Sequence, residues 1–181
     1  VAVDSDGDGL EDEVSVWWDE PAIRMPMGFV QTAEGNILVS SAGRIIKLSD
    51  TDGDGVGDRE ETVVEGWMPP ENFSGGVDAI GLALDDDGRL FFALGTSDYA
   101  NAYLMADGES HFDLIGDRGT IQMVSADFSE RETYCTGVRF NVSLAFNSQA
   151  DLFGSEQEGA TWLPNGNPFD ELLHLQPDRH Y

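Results

Sequence analysis

Gly43-Arg44-Ile45-Ile46-Lys47-Leu48-Ser49-Asp50-Thr51-Asp52-Gly53-Asp54-Gly55-Val56-Gly57-Asp58-Arg59-Glu60-Glu61-Thr62-Val63-Val64 reads as strand, acidic loop, strand. Ile45, Ile46 and Leu48 before the loop, and Thr62, Val63 and Val64 after it, are β-favouring runs too short for helices. Inside it, Asp50 to Gly55 and then Glu61 satisfy the D-x-D-x-D-G-x5-E template at every specified position. Calcium takes about six to eight oxygens at short range, and Gly55 permits the tight bend that turns alternating carboxylates inward. By loop position, Asp50, Asp52 and Asp54 supply carboxylates and Val56 its carbonyl, Asp58 acts directly or through water, and Glu61 closes the shell. The alternative is a solvated acidic turn. Against it, carboxylates about 5 Å apart repel by roughly 0.8 kcal/mol per pair even in water, and several such pairs accumulate here.

A partial copy precedes it. Asp4-Ser5-Asp6-Gly7-Asp8-Gly9 with Asp12 shares the front half of the pattern, with Asp4, Asp6, Asp8, the Leu10 carbonyl and Asp12 as ligands. Its twelfth position is Ser15, so Glu11 or Glu13 would have to close it. Around it, Val1-Ala2-Val3 and Val14-Ser15-Val16-Trp17-Trp18 repeat the strand, loop, strand arrangement.

The surrounding chain repeats a larger unit. Phe29-Val30 leads to Gly35-Asn36-Ile37-Leu38-Val39, Leu82-Ala83-Leu84 to Gly88-Arg89-Leu90-Phe91-Phe92-Ala93, and Leu144-Ala145-Phe146 to Ala150-Asp151-Leu152-Phe153. The first two copies continue into a second hairpin, Gly43 to Leu48 with Thr62 to Trp67, and Gly119 to Val124 with Thr133 to Val138. Units of four strands at about 50 residues are the mark of β-propeller blades, with a tandem sandwich as the alternative. The expected fold is all-β, a partial propeller of about three blades, in a chain cut from a longer protein. The expected segments are 1–27, the end of a preceding blade with its acidic loop, then blades at 28–80 and 81–142, and the start of another at 143–181.

Thirty-five acidic against nine basic residues give a formal charge of -26, which excludes nucleic acid and anionic membrane as electrostatic partners. No apolar run approaches the ~18 residues of a membrane span. The single cysteine, Cys135, reads as a small buried residue. Calcium sites of millimolar affinity fill outside the cytosol, so an exported location is expected.

In the order of these motifs, the chain resembles the six-bladed propellers of the quinoprotein glucose/sorbosone dehydrogenase superfamily. It is most similar to the membrane-bound dehydrogenase-type propellers of planctomycetes and related bacteria. The residues that carry the likeness are Gly43 to Leu48 with Asp50 to Gly55, Gly81-Leu82-Ala83-Leu84 with Asp87-Gly88-Arg89-Leu90, and Thr136-Gly137-Val138-Arg139-Phe140. Asp151-Leu152-Phe153 and the stretch Glu158 to Leu172 add to it. The resemblance implies oxidation of a sugar or alcohol, pyrroloquinoline quinone held with calcium in the central channel, a His as base, and an Arg-Asn pair on the cofactor. Arg139 fits the Arg, while Phe140 stands where the Asn is expected. The region that would carry the His reads Gly75-Gly76-Val77-Asp78-Ala79-Ile80, leaving Asp78 as its only acid. Relatives of this type often carry a haem c domain beyond the propeller. The runner-up is a non-catalytic scaffold for carbohydrate or protein.

Trp162, Asn165 and Asn167 are candidates for a sugar or polyol site, since an indole face and amides suit polyols, although Asn-Gly-Asn-Pro is also ordinary turn chemistry. Glu156 and Glu158 bear a weak likeness to glycosidase acid pairs. His111, His174 and His180 lack the spacing of a zinc site.

Overall fold

The run Leu90-Phe91-Phe92-Ala93-Leu94 has no polar alternation, and the computed structural model shows why: the strand is buried on both faces. Leu90, Phe92 and Leu94 point into one apolar cluster, Phe91 and Ala93 into another. The structure describes residues 1–21, 23–67, 79–95, 105–106, 109–110, 117–157 and 169–181. They form fifteen strands and no helix.

In chain order the strands are β1 (Ala2–Val3), β2 (Glu13–Val14), β3 (Phe29–Gln31), β4 (Ile37–Ser41), β5 (Arg44–Ser49), β6 (Arg59–Glu65), β7 (Ala79–Leu84) and β8 (Leu90–Leu94). They continue with β9 (Met105–Ala106), β10 (Glu109–Ser110), β11 (Thr120–Val124), β12 (Arg131–Thr136), β13 (Asn141–Phe146), β14 (Leu152–Glu156) and β15 (Glu171–Leu175). Every pairing between them is antiparallel. Sheets β3-β4-β5-β6 and β7-β8-β11-β12 are four-stranded blades, β13-β14-β15 is a three-stranded blade, and β1-β2 and β9-β10 are separate two-stranded ribbons.

Successive blades are glued face to face. Leu38, Ile45, Val64 and Trp67 of the first pack with Ala79, Leu82, Leu90, Phe92, Leu94 and Val124 of the second. Ile80, Ala83, Phe91, Ala93, Ile121 and Cys135 of the second pack with Leu144, Leu152 and Leu175 of the third. The first strands β3, β7 and β13 also touch, which places them on the inside of the arc. Two glycines let these backbones meet. A Cβ on Gly28 would stand 3.3 Å from the Gly81 and Leu82 nitrogens, and one on Gly81 3.2 Å from the Ser143 backbone.

The strand registers give the blades two unlike ends. At one, four-strand hairpins close with short turns, 32–36, 85–89, 125–130 and 147–151, together with the acidic loop 50–58. The other is where the strands lead into the long connections 66–78, 95–119 and 157–170, and it carries the short links 42–43 and 137–140.

Several elements differ from the sequence expectation. β6 starts at Arg59, not Thr62, because Glu60 and Glu61 find cross-strand partners: Arg44 lies 3.0 Å from Glu60 and Lys47 2.9 Å from Glu61. The acidic loop is correspondingly shorter. Trp17 and Trp18 are not strand residues. They fold, with Ile23, over Val39, Ile46 and Leu48 and cover the other face of the first blade. Strands β7 and β13 begin at Ala79 and Asn141, just ahead of the segment boundaries drawn at 81 and 143. The ribbon β9-β10 was not foreseen, since two-residue strands carry no periodicity.

Two outcomes test this packing. Phe92, fully buried, has its ring 5.5 Å from Trp67 across the interface, and Phe92→Ala should lower unfolding free energy by about 3–5 kcal/mol in urea titration. Cys135 is 1% exposed and burial pushes its thiol up to about 12, so a thiol reagent at pH 8 should label it only in denaturant.

Candidate functional site

The two acidic loops share one pattern of hydrogen bonds. In the second, Asp50 accepts from the Gly53 N–H at 2.7 Å and the Gly55 N–H at 2.9 Å, Asp52 from Asp54 N–H, and Asp54 from Val56 N–H. In the first, Asp4 accepts from Gly7 and Gly9, Asp6 from Asp8, and Asp8 from Leu10. Each then closes on its ninth residue. Asp58 accepts from both the N–H and the hydroxyl of Thr51, and Asp12 from both groups of Ser5. The shared motif is therefore D-[ST]-D-G-D-G-x-x-D, and position twelve lies beyond it. Glu61 sits in β6, ion-paired to Lys47.

Carboxylate oxygens of Asp50, Asp52 and Asp54 come within 4.8 Å of one another, as do those of Asp4, Asp6 and Asp8. Gly7, Gly9, Gly53 and Gly55 all have positive φ, the backbone that curls each loop around its carboxylates. The Gly9 N–H, chiefly, holds Asp4 below the usual value of 3.8, and the Thr51 hydroxyl does the same for Asp58. A carboxylate depressed in the folded state stabilises it above 3.8 and loses that contribution as pH falls through the lower folded value.

The second loop is also anchored. Gly57 N–H donates to the Trp17 carbonyl at 2.7 Å, and a Cβ at Gly57 would meet the Trp18 and Trp17 rings at 2.9 and 3.0 Å.

A different chemistry collects at the long-connection end. Arg139 and Glu156 are 2% and 3% exposed, and Asn141 is fully buried. The backbone N–H groups of Arg139 and Phe140 both donate to Glu156 Oε1, the second at 3.3 Å. Arg139 Nη1 donates to the Gln157 carbonyl at 2.5 Å, and Gln157 N–H returns a bond to the Phe140 carbonyl at 3.0 Å. Asn141 stands opposite Glu156 in the ladder, packed over Gly154, where any side chain would overlap its carboxamide. Neither polar atom of that carboxamide has a hydrogen-bond partner among the described residues. A wholly buried orphan amide is rare enough to need an explanation.

Of the other sequence candidates, His174 on β15 stacks on Phe153 with centroids 5.0 Å apart, and His180 Nδ1 lies 3.1 Å from the Thr136 hydroxyl at the end of β12. Asp78, His111, Glu158, Trp162, Asn165 and Asn167 lie outside the described residues. The buried Asn141 and the Glu156 clamp were missed as site residues. In the sequence Asn141 is visible only as a sequon, and Glu156 only as one acid beside another.

Comparison with known proteins fixes the architecture. No curated protein matches the chain. Among solved structures, the PQQ-bound aldose sugar dehydrogenase of Streptomyces coelicolor matches at a TM-score of 0.56 and 19% identity, over 88% of this chain and 62% of that one. A putative oxidoreductase (glucose dehydrogenase) of Thermus thermophilus matches at 0.55 and 16%, over 88% and 65%. The calcium structure of a family AA12 carbohydrate-active enzyme of Trichoderma reesei matches at 0.60 and 16%, over 83% and 40%. The chain thus spans less than two thirds of each, and what is shared is the β-propeller fold. A family model matches residues 1–177. The chain belongs to the family described as a domain of unknown function, DUF7133.

Proposed function

We propose that the chain is part of a calcium-stapled, quinone-dependent dehydrogenase that oxidises a sugar or other alcohol in an exported compartment. The observation that carries the reading is the burial of the Arg139 cation and, two residues on, of the Asn141 carboxamide, at the end of the arc where the inner strands start.

That donor set suits pyrroloquinoline quinone, an anion rich in carbonyl and carboxylate acceptors. Arg139 would meet a carboxylate and the Asn141 amide a carbonyl or a bridging water. When bound, the quinone supplies the acceptor for a hydride from the alcohol carbon. The chain's own part is to hold positive charge in a buried setting, where attraction to an anion is little screened, and to keep Arg139 from swinging out. The substrate hydroxyl proton needs a base. Asp78, the one acid of the segment where the resemblance puts a His, is the candidate for that role; the second reading is a non-catalytic scaffold.

The acidic loops have the other task. Asp50, Asp52, Asp54 and the Val56 carbonyl would hold one calcium ion, and Asp4, Asp6, Asp8 and the Leu10 carbonyl a second, with Asp58 and Asp12 latching each loop shut. A haem c partner elsewhere in a longer protein would suit the onward electron transfer.

For calcium, an EDTA-treated sample brought to 2 mM calcium should melt about 3–10 °C higher at pH 7, given a site affinity of about 0.1–1 mM. Asp52→Asn and Asp6→Asn should each remove part of the shift. No shift would refute the loops as calcium sites. For the quinone, calorimetry with pyrroloquinoline quinone and calcium should show binding that Arg139→Ala weakens by about 10-fold or more. Glucose oxidation with an artificial acceptor should accompany it. Binding without turnover would sink the substrate, and neither would leave the scaffold.

A further inference from the structure

We propose that Glu156 is the positioning residue of the quinone end, fixing Arg139 through its backbone rather than through its guanidinium. The inference rests on the quinone reading above for its function, though not for its geometry.

A carboxylate 3% exposed between two blades is costly to bury unless donors surround it. Here Oε1 gathers two consecutive backbone N–H groups, those of Arg139 and Phe140. The neighbouring bonds run the other way, from Arg139 Nη1 to the Gln157 carbonyl and from Gln157 N–H to the Phe140 carbonyl. Among the described residues, 139–140 and 156–157 are thus joined by these four bonds, three of which hold the backbone of 139–140. The second blade closes the third side: a Cβ at Gly95 would stand 3.2 Å from the Arg139 carbonyl and 3.4 Å from the Phe140 ring. β13 is bulged between Asn141 and Ser143, so strand pairing alone does not set where residue 139 lies. The carboxylate does. Removing it frees the 137–140 link while the apolar interface of Leu144 and Leu152 remains.

Amide hydrogen exchange and quinone affinity decide this, measured on wild type, Glu156→Ala, Glu156→Gln and the control Leu152→Ala, which loosens the same strand's buried face without touching the clamp. Glu156→Ala should speed exchange at the Arg139 and Phe140 amides by about 100-fold beyond Leu152→Ala, and weaken quinone binding by about 10-fold. Glu156→Gln keeps an acceptor oxygen and should restore most of both. Leu152→Ala should lower the melting temperature with affinity unchanged. Equal exchange at these two amides in Glu156→Ala and Leu152→Ala would overturn the proposal. If wild type binds no quinone, the quinone reading falls and the exchange comparison alone decides the role of Glu156.

Discussion

Everything in this fold depends on blades that cannot bury their own faces. A four-stranded antiparallel sheet with two apolar sides is insoluble alone, and β8 shows the solution: Phe92 and its alternates face one neighbour, Phe91 and Ala93 the other. Stacking in turn forces the inner strands together. That is possible only where a side chain is missing, at Gly28 and Gly81, whose backbones pass against the next strand. Gly81 also has φ +61, a second reason for glycine there.

The stacked arc then has two ends, with different side-chain chemistry at each. The short-turn end carries the loop of Asp50, Asp52 and Asp54, tied by Gly57 to the tryptophans that seal the first blade. A cation there would lock an edge of the sheet to its cover. The long-connection end instead buries Arg139, Asn141 and Glu156, where low dielectric makes each polar contact count.

Much of this was legible in the sequence. The unbroken apolar run Leu90–Leu94, the recurring hairpins and the acidic loop flanked by Ile45 and Val64 specify antiparallel blades because period and turn chemistry are local signals. The latch of each loop lies outside a template that points to the twelfth residue: Asp58 and Asp12 close on Thr51 and Ser5, a pairing visible once the two loops are set side by side. Trp17 and Trp18 looked like strand because aromatic residues favour it, yet tertiary contact with Ile46 and Leu48 decided otherwise. The Glu156 clamp was beyond reach, since it joins residues 17 apart that only the β13-β14 register brings together.

The central claim is that cations hold one end and an anionic quinone the other. Crystals grown with calcium and pyrroloquinoline quinone test it in one experiment. The account predicts anomalous peaks among Asp50, Asp52 and Asp54 and among Asp4, Asp6 and Asp8, with quinone density against Arg139. Empty acidic loops and no quinone at Arg139 under saturating ligand would contradict it.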